Sequence, residues 1–144
     1  MLKATDPEFL RSSSRYRADS FKKSSDKNDK GEHIKFVGII NGNSGQRRAI
    51  IRCYDKTIGP GSHCMVSCTC DHFKYKLEVA LAARGSAKLE NADPKMPVKA
   101  NPKFLPGLCP HLTYLAKLAL AADTTQKAAE QAKTAISDKL KRNR

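Results

Sequence analysis

Two short pairs of metal-binding residue types constrain this chain most: Cys68-Thr69-Cys70 and, far along the sequence, Cys109-Pro110-His111. A borderline metal ion with tetrahedral preference takes four protein ligands, commonly three Cys and one His for zinc. A C-x-C pair chelates only where the backbone turns sharply between its members. In HCMVSCTC (63–70), Cys64, Val66, Cys68 and Cys70 alternate onto one face as a strand places them, so the pair lies at a strand end where such a turn fits. Cys109-Pro110 opens a helix, with Pro suited to its first position, and the helix dipole favours thiolate at Cys109. Four ligands on one Zn2+ would tie a strand, two helices and the long connection between them into one unit. Free thiols scattered through a protein of a reducing compartment are the competing reading.

The patterning around these pairs predicts an α+β fold: a small antiparallel sheet followed by two helices. IKFVGII (34–40), an Asn/Gly cluster and RRAIIRCY (47–54) read as a hairpin. Asp71 is a suitable N-cap for a helix over 72–84, with Phe73, Leu77, Ala80 and Leu81 on one face and Gly85 at its stop. Residues 86–108 form a long connection rich in Pro, which needs something to hold its ends. Leu112, Leu115, Leu118, Ala119 and Ala122 give the second helix its apolar face. Three regions follow: a flexible or extended arm over 1–33, a metal-binding module over 34–123 and a basic helical tail over 124–144. Asp123 with Gln126 resembles a weak capping box, so a break between module and tail is expected there.

C-x-C, a long insertion and C-x-H together resemble the SWIM-type zinc finger. VSCTCDHF (66–73) and GLCPHL (107–112) fit the places that family gives to its ligands, and the resemblance covers about 35–118. It implies Cys68, Cys70, Cys109 and His111 as the ligands of a zinc ion, in a module that binds nucleic acid or other proteins. NPKFLPGLCPHL (101–112), in a small protein without an accompanying enzyme domain, also resembles small stand-alone SWIM-like proteins of tailed bacteriophages, several of them grouped with virion structural genes. That implies a minor virion component of head, neck, tail or baseplate, made in the host cytoplasm and carried into the virion, with other protein subunits as partners.

The chain has 144 residues and a formal net charge of +13. The charge divides as +2 over 1–33, +7 over 34–123 and +4 over 124–144, so it belongs mainly to the module and the tail. Charge this far from zero points to an anionic partner. The candidate contacts for DNA or an acidic protein surface are Arg47, Arg48, Arg52, Lys74, Lys76, Lys88, Lys95, Lys99, Lys103, Lys139, Lys141, Arg142 and Arg144. If they converge, they track phosphates without reading sequence. The alternative function is therefore a small basic nucleic-acid-binding protein of regulation or DNA processing. Aromatics near these groups are few, which argues against base stacking on single strands.

Enzyme motifs are missing from the sequence: it has no nucleophile elbow, phosphate-cradling loop or H-E-x-x-H, and no deaminase H-x-E with P-C-x-x-C. A closed four-ligand site is structural, so neither catalysis nor a small-molecule substrate is expected. His72 could replace one ligand, but reads better as a residue at the helix start. Cys53 and Cys64 read as buried small apolar residues of neighbouring strands, able to form a disulfide only in an oxidising setting. No run approaches the roughly eighteen apolar residues of a spanning helix, and MLKATDPEFL lacks the apolar core of a signal peptide, so neither is expected.

Overall fold

The computed structural model of the chain describes residues 15–42, 45–55, 58, 62–88 and 107–143. Four strands form one antiparallel sheet in sequence order: β1 (Arg17–Asn28), β2 (Gly31–Gly42), β3 (Gly45–Cys53) and β4 (Cys64–Cys68). A π-helical turn (Phe73–Leu77) leads into the short helix α1 (Glu78–Ala82), and the long helix α2 (Pro110–Arg142) follows. The fold is α+β, a sheet followed by two helices, as the patterning indicates.

Strand period two sorts the sheet into faces. Ile34, Phe36, Gly38 and Ile40 of β2 pair across to Cys53, Ile51, Ala49 and Arg47 of β3, and Cys64, Val66 and Cys68 extend that face onto β4. This inner face carries the core: Phe36, Ile40, Ala49, Ile51, Cys53 and Cys68 are essentially inaccessible to solvent. Lys35, Val37, Ile39, Arg48, Ile50 and Arg52 occupy the outer face and are half-buried or exposed.

The first half of α2 packs on the inner face against β2 and β3, burying Leu112, Leu115, Ala116 and Ala119. Each fully buried Leu or Phe contributes about 2 kcal/mol by removal of apolar surface from water. Gly38 sets how closely the layers approach. A Cβ there would come within 3.0 Å of Leu115 Cδ1 and 2.9 Å of Ile40 Cδ1. The π turn places both Phe73 and Leu77 in the core.

Several expectations are corrected. The stretch 17–28 is not an arm but the first strand, paired along its length with β2. The sequence hides it because its apolar residues are few. An Asx turn, with Lys30 N donating to Asn28 Oδ1 at 2.9 Å, reverses the chain and brings it onto β2. Residues 1–14 lie outside the described residues. No helix break occurs at Asp123: α2 runs on to Arg142. Asp123 Oδ2 accepts from Lys127 Nζ at 2.9 Å, one turn ahead, and so does not cap. The hydroxyls of Thr124 and Thr125 donate back to the carbonyls of Leu120 and Ala121, both at 2.9 Å, which keeps the backbone helical. The cap of the first helical segment is Cys70 rather than Asp71, which is exposed.

The connection between α1 and α2 is described at its ends only, since 89–106 lie outside the described residues. At its start, Ser86 O accepts from Val66 N at 2.8 Å on the free edge of β4; at its finish, Leu108 is buried. Among the described residues, no helix is long and apolar enough to cross a membrane.

Candidate metal centre

Cys68 is the last residue of β4, and Cys70 stands after a single turn residue. Thr69 makes that turn. Its N–H donates to Arg48 O at 3.2 Å, while its hydroxyl accepts from Arg48 N at 3.0 Å, so β3 holds the link between the two cysteines. Cys70 Sγ then accepts from Phe73 N at 3.4 Å, and Cys109 Sγ accepts from Leu112 N at 3.4 Å. Both sulfurs thus occupy helix N-cap positions, where unpaired backbone N–H groups favour negative charge. Thr113 Oγ1 donates to Cys109 O at 2.9 Å and fastens the first turn of α2.

These elements bring Cys68, Cys70, Cys109 and His111 together. Their ligand atoms all lie within 4.8 Å of one another, and all four residues are buried. A zinc tetrahedron with arms of about 2.0–2.3 Å has edges of about 3.3–3.8 Å. The cluster therefore fits a metal once its widest donor separation closes by about 1 Å. The donor set fits as well. Neither ring nitrogen of buried His111 has a hydrogen-bond partner of normal geometry among the described residues. An orphaned imidazole is costly in a core unless something else binds it.

Burial and mutual contact also perturb the three thiols. Contact with Cys109, then with Cys68, holds the Cys70 thiol far below its ordinary value against the effect of burial. Cys68 is drawn down by Cys109, but contact with Cys70 and burial outweigh this and push it up to about 12. Burial, followed by contacts with Cys68 and Cys70, raises Cys109 well above the thiol range. A cation between the three sulfurs would favour all three thiolates together.

Tyr16 completes the site. Its ring lies 4.9 Å from the His111 ring, centroid to centroid, tilted by 43°. Burial and then the nearby Cys109, Cys70 and Cys68 raise its phenol above the ordinary value. A Cβ on Gly42 would meet the Tyr16 ring at 2.7 Å, so only glycine leaves the ring its place. Sequence reasoning missed both residues by assigning Tyr16 to an arm. The available signal was an aromatic side chain in a stretch with few others.

His72 is exposed and lies outside the cluster, as do Cys53 and Cys64. The basic residues do not converge. Arg48 and Arg52 lie on the outer sheet face, opposite the face that α2 covers, whereas Arg47 points inward and is half-buried. Lys74 and Lys76 are half-buried on the π turn, where Lys74 Nζ stands 4.9 Å over the Tyr75 ring. Lys88 is exposed beyond α1. Lys139, Lys141 and Arg142 are exposed at the far end of α2, on the order of 40 Å along the helix from the cluster. Lys95, Lys99, Lys103 and Arg144 lie outside the described residues.

No protein-family model, curated protein or solved structure matches the chain. The class is thus defined by the fold and the cluster: a small α+β protein with a Cys3His centre able to hold a metal ion.

Proposed function

We infer that the chain is a zinc-stabilised, non-enzymatic structural or adaptor protein of the SWIM type. The observation carrying this reading is the closure of the cluster, with four buried protein ligands. Such a set leaves no coordination position for water or substrate, which is the arrangement of structural rather than catalytic zinc. Zinc bound there supplies folding energy by joining β4, the helix start after it and α2.

The outer half of α2 supports the adaptor role. Residues 124–143 are exposed, including Ile136 at 60% and Leu140 at 64%. A helix this long with so little packing gains its stability from tertiary contacts, which a protein neighbour in an assembly can supply. The setting implied by the sequence resemblance is the particle of a tailed phage, with the chain as a minor virion component. The test is to search purified particles for the chain and measure hydrogen exchange over α2 within them. Presence with the outer half of α2 protected supports the reading. Absence from particles, or an unprotected outer half within them, rejects it.

One observation favours a second reading, a small nucleic-acid-binding protein. Lys35 and Arg52 sit directly opposite one another on the outer face of the sheet. Like charges so placed repel and destabilise the pair, unless an anion lies against them. This reading requires binding to duplex DNA that weakens steeply with salt. No shift of duplex at low salt rejects it.

A further inference from the structure

Cys53 and Cys64 stand apart from the metal cluster and directly opposite one another across β3 and β4. The ladder defines what kind of pair they are. Tyr54 N donates to His63 O at 3.0 Å, and Thr69 N donates to Arg48 O at 3.2 Å. Tyr54–His63 and Arg48–Thr69 are therefore hydrogen-bonded pairs. Antiparallel pairs alternate in type, so Cys53–Cys64, one step from Tyr54–His63, is a non-hydrogen-bonded pair. Such pairs bring Cα atoms to about 4.5 Å, within the roughly 4.4–6.8 Å that a disulfide spans. Both side chains point inward, with their Sγ atoms 2.8 Å apart. Closing from this separation to an S–S bond of about 2.05 Å takes a shift of less than about 1 Å.

The two cysteines are not equivalent. Cys53 is fully enclosed, whereas Cys64 retains 7% exposure, so a small reagent reaches Cys64 first. The sulfur–sulfur contact lets either thiol donate to the other's thiolate, so the difference in exposure makes Cys64 the first to react.

We propose that Cys53 and Cys64 are a second cysteine site, a peroxide-reactive dithiol that closes to a disulfide between β3 and β4. The Cys64 thiolate attacks one oxygen of hydrogen peroxide. The O–O bond breaks, hydroxide leaves and takes up a proton to become water, and Cys64 becomes a sulfenic acid. Cys53 sulfur then attacks Cys64 sulfur. The S–S bond forms, and the hydroxyl departs as a second water with the Cys53 proton. Two thiols lose two electrons, and one peroxide is reduced to two waters. The bond fastens the first residue of β4, while the metal cluster holds its last. The proposal rests on none of the metal-ligand assignments.

The test treats the full chain with less than one equivalent of hydrogen peroxide, alkylates remaining thiols and maps peptides by mass spectrometry. The expected product is a Cys53–Cys64 link, more abundant than any other cysteine pairing. Cys53→Ala is expected to stop at a sulfenic acid on Cys64, which a 1,3-dione traps. The proposal is overturned if Cys53 and Cys64 are both recovered alkylated while oxidation falls on Cys68, Cys70 or Cys109. It is also overturned if Cys64→Ala leaves Cys53 oxidised as readily as in the unaltered chain. Mapping the unaltered chain decides the matter even where a variant folds poorly.

Discussion

The ring of Tyr16 lies against the imidazole of His111, centroids 4.9 Å apart, so the residue leading into β1 covers the one nitrogen donor of the metal cluster. The N-terminal strand thereby shields a site whose four donors all come from β4, the segment after it and α2. Tyr16→Ala removes that cover and the ring contact. Unfolding in urea is expected to show a loss of about 2 kcal/mol, with Tyr16→Phe close to the unaltered chain. Equal losses in both variants would assign the effect to the hydroxyl instead.

Metal uptake is expected to release protons. Contacts among the sulfurs lower the Cys70 thiol, whereas Cys68 and Cys109 are pushed above the ordinary thiol range. Binding one Zn2+ to three thiolates then releases about two protons per chain. Affinity falls as pH falls, because protons compete for the same sulfurs. Calorimetry in buffers of differing ionisation enthalpy measures the number. Release of none would contradict the assignment of Cys68 and Cys109.

Gly38 lies where Leu115 of α2 packs against the sheet. Gly38→Val forces Leu115 and Ile40 apart, and a loss of about 2 kcal/mol or more is expected from overpacking. Leu115→Ala in the same chain should recover part of that loss by vacating the space. Additive losses in the double variant would show that Gly38 and Leu115 do not share this contact.

Much of the centre was legible because metal chemistry admits few residue types at few spacings. Cys68, Cys70, Cys109 and His111 announce themselves in that way, and the period-two alternation of 34–40, 47–53 and 64–68 places the strands that carry them. β1 was not legible. Phe21 and Ala18 are too few to signal an apolar face, and the strand exists because β2 offers it an edge. The continuity of α2 past Asp123 was obscured for a different reason. Asp123 suits both a cap and an i, i+4 ion pair, and only the position of Lys127 in the folded chain shows which it makes. Tyr16 and Gly42 belong to the site through a tertiary approach that no local pattern encodes.

The outer half of α2 contributes little to the fold itself. Lys23 Nζ donates to Gln126 Oε1 near its start, and the residues beyond are exposed. Removing residues 128–144 is expected to reduce the helical circular-dichroism signal while changing unfolding free energy by less than about 0.5 kcal/mol. A large loss of stability would mean that this segment packs on the module in solution.

The central claim is that Cys68, Cys70, Cys109 and His111 hold one structural zinc ion. Elemental mass spectrometry of the full chain, with protein concentration measured in parallel, tests it most directly. One zinc per chain is expected, falling close to none in both Cys109→Ala and His111→Ala. A chain purified under reducing conditions without stoichiometric metal, or an unchanged zinc content in both variants, would contradict it.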